Sequence, residues 1–301
     1  MVEWCLLRFG EGRLLVDSRA SDSGWPAEVL SAIGQLTRRA GGPDLEALAP
    51  ATLADALERR RAACLAATPE AYADHLSADP AEVAALVASV DVHHSRLFRD
   101  PLTFALLERR LLPALAERQE GGGGSELRVW SAGCAAGQEA YSVAILLAEL
   151  AEARARPLGF RVFATDRSAP ELELARRGVY SEAELANVTT ARLRRWFVRR
   201  GRGFAAPAAL REHLDFSVYE LLDERSSAPP ASIFGDFDLV LCCNVLIYYR
   251  PEVQQRILGK LLRTLAPGGL LITGEAERDI LRGRGDLRPH GFEASVFVRE
   301  G

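Results

Sequence analysis

The chain has 301 residues, of which 48% are hydrophobic and 26% are charged, and its formal net charge is −4. This length allows one large domain or two modest ones, and the mildly acidic balance excludes a globally basic nucleic-acid-binding protein. No segment has the length and apolar character of a membrane span. The N-terminus, Met-Val-Glu-Trp, lacks the basic region and apolar core of a signal peptide, so we expect a cytoplasmic protein without membrane insertion.

The first part of the chain is predicted to be helical. Residues 1–25 form an extension whose two short apolar stretches are compatible with a hairpin, and we assign it no function. From 26 to 90, apolar residues recur at helical spacing, as in Val29–Leu36 and Val83–Val90. Asp79-Pro80 is typical of a helix start. These residues predict a small helical N-terminal domain.

Residues 91–125 are predicted to connect this domain to the rest of the chain. Phe104–Leu115 has the apolar spacing of a helix, and the run Gly121–Ser125 that follows has the composition of a flexible tether. We therefore expect a domain boundary at the glycines.

Strands and helices alternate from residue 126 to 301. Four apolar runs and a C-terminal segment predict strands: Leu127–Ser131, Phe160–Ala164, Phe237–Cys242, Leu270–Thr273 and about Ala294–Val298. A clear helix is predicted from Pro251 to Leu265, before a turn at Pro267–Gly269. This alternation predicts an α/β fold with a doubly wound, mainly parallel, Rossmann-like sheet. The polar, arginine-rich residues from about 179 to 217 interrupt the alternation and suit an inserted subdomain.

A glycine loop follows the first of these strands. The strand ends at Gly133 and Gly137, and a helix follows, so backbone and a helix N-terminus can approach a ligand closely. The second strand ends in Asp166, at roughly the distance at which nucleotide-binding folds present a carboxylate to ribose hydroxyls. The pair predicts a nucleoside-containing cofactor. The alternative for Asp166 is a cap for the helix that opens at Ser168.

The thiols and imidazoles do not predict a metal site. The five cysteines are odd in number and lack metal-ligand spacing, which favours buried reduced thiols. His93 and His94 have no third ligand at suitable spacing.

Four motifs come in the order of a known family. They are His93–Pro101, Ala132–Ser142, Ala164–Asp166 and Asp238–Tyr248. The pattern resembles the chemotaxis-receptor glutamate methyltransferases, the CheR family, over roughly residues 26–300. The resemblance implies a helical domain and an S-adenosylmethionine-dependent methyltransferase domain with a small inserted β-subdomain. It implies methyl-ester formation on glutamate side chains of chemoreceptor cytoplasmic helices in sensory adaptation. We expect a monomer whose partner is the chemoreceptor cytoplasmic domain.

The resemblance also implies the site residues. Arg99 and Tyr248 are the expected catalytic residues. The residues expected to bind S-adenosylmethionine are His93, Ser95, Arg99, Gly133, Glu139, Asp166, Glu220, Leu221, Asn244 and Val245. The chain departs from the usual family pattern at several positions, with His93 and Glu220 in place of asparagine, Ser95 in place of threonine, and Cys243 in place of arginine.

The chemistry of these residues suits methyl transfer to a carboxylate. Such a nucleophile is already ionised at neutral pH and needs no general base. A guanidinium such as that of Arg99 grips a carboxylate through two hydrogen bonds. Glu139 can pair with the methionyl ammonium, although the helix dipole alone also favours an acidic residue in a first turn. Tyr248 follows the third strand and is expected beside the reacting centre, with a core position as the alternative.

Two other functions stay open for the sequence. One is a methyltransferase of the same fold acting on another carboxylate, and the other is a non-catalytic cofactor-binding scaffold in a signalling array. The three-glycine spacing of a dinucleotide-binding dehydrogenase is absent. Runs of arginine such as those at 59–61 and 192–202 are typical of solvent-exposed faces, but they would also attract an acidic helical receptor.

Overall fold

A computed structural model describes residues 24–90, 95–122, 126–232, 235–291 and 295–300. The chain divides into two compact units near residues 92 and 93, and the short stretch 248–251 groups with the first unit. Most of the N-terminal extension, residues 1–23, lies outside the described residues, so the hairpin stays a prediction. No helix in the described ranges combines the length and apolarity needed to cross a bilayer.

The first unit is built from helices. They are α1 (Ala27–Arg39), α2 (Pro50–Ala63), α3 (Pro69–Ala78) and α4 (Pro80–Val90). Pro80 begins α4, at the start that the sequence indicates, and the Thr68 hydroxyl caps α3 by accepting from Ala71 N at 3.2 Å. The apolar faces meet in a core around Ile33, Leu57 and Leu86, which are fully buried.

The second unit is organised around a seven-stranded sheet of order β6-β2-β1-β7-β8-β10-β9. The strands are β1 (Glu126–Ala132), β2 (Gly159–Asp166), β6 (Leu214–Val218), β7 (Phe237–Cys242), β8 (Leu265–Thr273), β9 (Leu287–Pro289) and β10 (Val296–Arg299). The first five of these pair in parallel, while β10 pairs antiparallel with β8 and β9. The mainly parallel Rossmann-like sheet that the sequence predicts is therefore confirmed.

The helices of this unit cover the sheet and complete the alternation. They are α5 (Pro101–Leu106), α6 (Leu112–Gly122), α7 (Gln138–Ala153), α8 (Ala169–Arg177), α9 (Thr190–Trp196), α10 (Ala208–Arg211), α11 (Pro251–Thr264) and α12 (Arg278–Leu281). After β1 the sheet grows through β2 on one side and β7 on the other. Ligands of open α/β sheets bind at the carboxyl ends of strands where the order reverses in this way.

Two features differ from the expectations. The residues expected to form a connecting segment belong to the second unit, because Leu107, Leu111 and Leu115 pack in its core. A single π-helical turn, Leu107–Leu111, joins α5 to α6, and α6 runs into the glycines at Gly122. The units divide near residue 92, close to the expected end of the helical domain at residue 90 and about thirty residues before the glycines at Gly121–Ser125.

The turn expected at Pro267–Gly269 is wrong. These residues lie inside β8, where the register slips so that Phe237 faces Leu265 while Leu239 faces Leu270. The strand absorbs the extra residues as an irregularity, and Gly268 takes a φ of +70° there.

A second, three-stranded antiparallel sheet interrupts the alternation. Its order is β3-β5-β4, from β3 (Val179–Tyr180), β4 (Val198–Arg200) and β5 (Gly203–Ala205). It falls within the residues where the polar, arginine-rich composition suggests an inserted subdomain. The indole of Trp196, at the end of α9, donates to Glu149 Oε1 of α7 at 2.9 Å, which ties the insertion to the main sheet unit.

Candidate functional site

The glycine loop lies between β1 and α7 and is fixed by backbone hydrogen bonds. Gly133 N and Cys134 N both donate to Thr165 O of β2, at 2.8 and 2.9 Å. Gly133 and Gly137 have φ of +75° and +86°, a region that L side chains rarely adopt. A Cβ at Gly133 would lie 2.5 Å from Val245 Cγ2. The loop therefore makes a close-packed cradle at the carboxyl edge of the sheet.

Asp166 joins this loop to the end of β2. Its Oδ2 accepts from Ala135 N at 2.8 Å, and its Oδ1 accepts from Ser168 N at 2.9 Å. Asp166 therefore holds the turn just before α8, whose N-cap residue is Ser168 and which has no side-chain cap hydrogen bond there. An ionised carboxylate has about four lone-pair sites, so two hydrogen bonds leave room for ribose hydroxyls.

Glu139 lies in the first turn of α7, the helix that follows the loop. Its Oε1 accepts from Ser131 Oγ of β1 at 2.6 Å. Burial raises the pKa of Glu139, and the negative charge of Glu277 adds to this, whereas hydrogen bonds from Cys243 and Ser131 and the positive charge of Arg99 lower it. Cys243 brings no charge where the family pattern has arginine. A ligand ammonium would therefore find a desolvated carboxylate, with the Arg99 guanidinium as a cation close enough to act on it.

Arg99 is held through its neighbour Phe98. Phe98 N donates to Ser142 Oγ of α7, and Asn187 Nδ2 donates to Phe98 O, both at 2.9 Å. Phe98 has a φ of +52°, uncommon for a bulky side chain. The Arg99 side chain is exposed, and its positive charge lowers the pKa of Glu139. These two predicted site residues are brought to the same edge of the sheet.

The other predicted residues before β1 are less well defined. Ser95 is half-buried, and its role stays a prediction. His93 lies outside the described residues, so its role stays a prediction.

Glu220 and Leu221 follow β6, directly beside Asp166. Val218 is paired with Asp166 in the sheet, and Tyr219 N donates to Asp166 O at 2.9 Å. Glu220 Oε1 accepts from Leu222 N at 3.1 Å, so this carboxylate stabilises its own turn. Leu221 is buried. Both residues therefore lie at the rim where the Asp166 carboxylate is presented.

Asn244 and Val245 follow β7, across the loop from Glu139. Asn244 has a φ of +60°, and the backbone amides of this segment are held by a buried carboxylate, Glu277. Sequence reasoning missed Glu277. The signal was its position four residues after β8, at the edge of the sheet where parallel strands present ligand-binding groups.

Tyr248 ends a 3₁₀ turn, Leu246–Tyr248, and groups with the helical unit, where its carbonyl accepts from Ala49 N at 2.9 Å. Its expected place beside the reacting centre stays a prediction.

The described cysteines, at positions 64, 134, 242 and 243, are free thiols. Burial raises the pKa of Cys134, Cys242 and Cys243. Within the described residues, Cys64, His75 and Glu82 have ligand atoms within 4.8 Å of one another. Glu82 is already engaged, because it pairs with Arg60 and accepts from Tyr72 OH at 2.8 Å. The Arg60 guanidinium here would repel a cation, so we interpret this part-buried cluster as an ion pair with its hydrogen-bonding neighbours.

Many side chains of the arginine-rich segments form ion pairs with carboxylates of the same chain. In the helical unit, residues 59, 60 and 61 bond with Asp55, Glu82 and Glu58. In the second unit, Arg192 binds Glu149 and Glu108, both at 2.7 Å. Arginines 194, 199, 200 and 202 are exposed. Less of the expected basic surface is therefore left for a partner than the sequence indicates.

The comparison with known proteins agrees with this geometry. Residues 93–283 match the family model described as CheR methyltransferase, SAM binding domain. Chemotaxis protein methyltransferase 1 of Pseudomonas aeruginosa is 36% identical over 196 residues, covering 64% of this chain and 68% of that protein. The chemotaxis protein methyltransferase of Escherichia coli is 36% identical over 199 residues, covering 64% of this chain and 63% of that protein.

A third relative is much longer than this chain. An uncharacterized 104.1 kDa protein of Rhodobacter capsulatus is 33% identical over 252 residues, which cover 84% of this chain. This chain spans only 26% of that protein.

The residues of the site fit S-adenosylmethionine. A Cβ at Gly133 would fill the cradle, so the glycine lets the backbone approach the cofactor closely. The Asp166 carboxylate suits the ribose of the cofactor, and the desolvated Glu139 carboxylate suits its ammonium group. The matched family model spans more than half of the chain. The chain belongs to the CheR methyltransferase family, and its second unit carries the family's S-adenosylmethionine-binding domain.

Proposed function

We propose that this protein transfers the methyl group of S-adenosylmethionine to glutamate side-chain carboxylates of chemoreceptor cytoplasmic helices. The relatives named chemotaxis protein methyltransferase support the reaction class. The proposal includes a cytoplasmic location, because its substrate would be the cytoplasmic helices of the chemoreceptor.

The observation that carries the proposal is the charge arrangement around the glycine loop. Glu139 is desolvated at the start of α7, Asp166 closes the loop from β2, and the positive charge of Arg99 lowers the pKa of Glu139. Two anionic groups for the cofactor and one guanidinium for a carboxylate therefore share one edge of the sheet.

The expected mechanism needs few catalytic groups. S-adenosylmethionine supplies an activated methyl group on a sulfonium when it is bound. Asp166 would hold its ribose and Glu139 its ammonium, while Arg99 would grip the substrate carboxylate bidentately and Tyr248 would line the reacting centre. Because the substrate carboxylate is already ionised, catalysis rests on positioning and on excluding water.

The substrate surface is proposed to include the β4–β5 hairpin. Arginines 199, 200 and 202 are exposed there, whereas those of α2 are engaged in ion pairs. Attraction between exposed basic groups and acidic receptor helices would steer the encounter.

The test is methyl transfer to purified receptor domains. The full chain is incubated with methyl-labelled S-adenosylmethionine and a panel of chemoreceptor cytoplasmic domains, and base-labile label is assigned to residues by mass spectrometry. We expect labelled glutamates, and label lost with Arg99→Ala.

Two results would contradict the proposal in different ways. Binding of the cofactor without transfer to any receptor domain would favour the scaffold function. Base-labile label on another carboxylate compound, with receptor domains unlabelled, would favour a methyltransferase of different substrate.

A further inference from the structure

Glu277 lies in a 3₁₀ turn, Glu275–Glu277, just after β8, and its side chain is fully buried. Its Oε2 accepts from Asn244 N at 2.8 Å and Gly274 N at 2.7 Å. Its Oε1 accepts from Val245 N and Leu246 N, both at 2.7 Å, and more weakly from Ile247 N at 3.3 Å. One carboxylate therefore satisfies five backbone amides.

This arrangement fixes the backbone that follows β7. Successive amides that point at one centre form an anion-binding concavity, and here the anion is a side chain of the same protein. The left-handed φ of Asn244, +60°, is part of this conformation. Burial raises the pKa of Glu277 above its usual value, although the amide hydrogen bonds oppose this rise. Five N–H groups suit an ionised acceptor, since a protonated oxygen would turn its hydrogen toward a donor.

The segment held in this way forms one wall of the glycine cradle. Val245 Cγ2 would lie 2.5 Å from a Cβ at Gly133, and Asn244 Nδ2 would lie 2.9 Å from a Cβ at Gly274. The negative charge of Glu277 also raises the pKa of Glu139, so the two carboxylates lie in one electrostatic environment. A shift of Asn244 and Val245 would therefore change the cradle directly.

We propose that Glu277 is a positioning residue for the cofactor site, which holds the backbone of Asn244 and Val245 in the conformation that binds S-adenosylmethionine. This rests on the proposed function, because Asn244 and Val245 are its expected cofactor contacts. Glu277 itself need not touch the ligand.

The substitution Glu277→Gln tests the role with little change in volume. Glutamine offers one acceptor oxygen and one NH₂ group, so either Asn244 N and Gly274 N or the amides facing Oε1 would meet a donor. The matched control is Asp238→Asn, at the opposite end of β7. Asp238 is also buried, and it accepts from Gln119 Nε2 at 2.8 Å and Arg128 N at 3.0 Å.

The readout is the dissociation constant of S-adenosylhomocysteine, measured by calorimetry alongside thermal unfolding. We expect Glu277→Gln to weaken binding by about ten- to a hundred-fold, the effect of misplaced hydrogen-bonding groups, and Asp238→Asn by less than about twofold despite comparable destabilisation. Equal affinity of wild type and Glu277→Gln, or an equal loss in both variants, would overturn the inference. Failure of the wild type to bind would instead refute the proposed function.

A second measurement decides the case if Glu277→Gln does not fold. Hydrogen exchange of the ligand-free wild type should show the amides of Val245 and Leu246 protected like strand amides, and further slowed by S-adenosylhomocysteine. Exchange of these amides at the rate of open loops, or no response to bound ligand, would overturn the inference.

Discussion

The close contact between Gly133 and Val245 allows a graded test of the cradle. Gly133→Ala adds a methyl group at a φ of +75°, 2.5 Å from Val245 Cγ2. Gly201→Ala, in the β4–β5 turn, adds the same methyl group at a φ of +61°, with nothing within 4 Å. The control therefore shares the backbone strain of the first variant but lacks its steric overlap.

The magnitudes follow from these two contributions to the free energy of unfolding. An L residue in the left-handed region costs about 1–2 kcal/mol, which is the whole expected loss for Gly201→Ala. Carbon atoms normally approach to about 3.5–4.0 Å, so the overlap at Gly133 is severe, and overpacking of this kind costs about 1–3 kcal/mol more. We expect Gly133→Ala to lose about 2–5 kcal/mol in total, by adding these two ranges.

A double variant isolates the overlap. In Gly133→Ala, the further change Val245→Ala removes Cγ2, and the nearest remaining Val245 atom, Cβ, lies at 3.7 Å. A double-mutant cycle should give a favourable coupling of about 1–3 kcal/mol, the packing part of the loss.

The assays are urea unfolding for stability and calorimetry for S-adenosylhomocysteine. Gly133→Ala should weaken ligand binding, whereas Gly201→Ala should leave it unchanged. Equal stability losses in the two alanine variants, together with zero coupling to Val245, would refute the reasoning that the loop and the segment after β7 form one packed cradle.

Four further results are expected. Asp166→Ala should weaken binding of S-adenosylhomocysteine by about 1.5–3 kcal/mol. It should also lower the melting temperature, because the Asp166 carboxylate holds two backbone amides. An unchanged dissociation constant, measured by calorimetry, would leave Asp166 only its structural role. Arg99→Ala should abolish most methyl transfer with the fold intact, and Arg99→Lys should restore little of it, so near-normal rates in either would move the role elsewhere. Burial raises the pKa of Glu139, so its contribution to stability is complete in acid and is lost as pH rises through the folded-state pKa. Glu139→Gln should therefore melt at a higher temperature than the wild type above that pKa while binding the cofactor more weakly; identical melting profiles across pH would contradict this. Receptor methylation should weaken steeply with salt, because the exposed arginines of the hairpin are screened within about 8–10 Å at physiological ionic strength, and a rate indifferent to salt would contradict a role for these arginines in the encounter.

Five strands of the large sheet, β1, β2, β7, β8 and β10, could be predicted because their burial is visible in the sequence, whereas β6 and β9 were not predicted. All six residues of β7 are buried, and a strand covered on both faces has a continuous apolar run. The glycine loop and Asp166 were visible for a similar reason, since glycines directly after such a run are typical of a loop that approaches a ligand. Short strands such as β3 and β4 have no such signal, because they are only two and three residues long and their residues are mostly exposed.

The buried carboxylates could not be assigned from sequence, because their partners are backbone groups in one case and a distant side chain in the other. Glu277 and Glu82 are both buried, yet one accepts amides and the other pairs with Arg60. A sequence records side chains, and it does not record which amides a tight turn points inward. The glycine run is a strong compositional signal, whereas packing of the preceding helix on the sheet decides where the second unit begins.

Packing also changes the role that can be assigned to the arginines of the inserted subdomain. Arg192 lies in a run that suggested a receptor-binding surface, yet it is held by Glu149 and Glu108 with its guanidinium 5.2 Å from the centre of the Phe98 ring. Phe98 in turn precedes Arg99, and its backbone is fixed by Ser142 and Asn187. The inserted subdomain therefore supports the segment that carries Arg99. The ion pairs that do this involve an arginine that the sequence alone would assign to an exposed basic surface. Because these contacts converge on one residue beside Arg99, changes in the subdomain should alter the placement of the proposed catalytic guanidinium as well as any surface offered to the receptor.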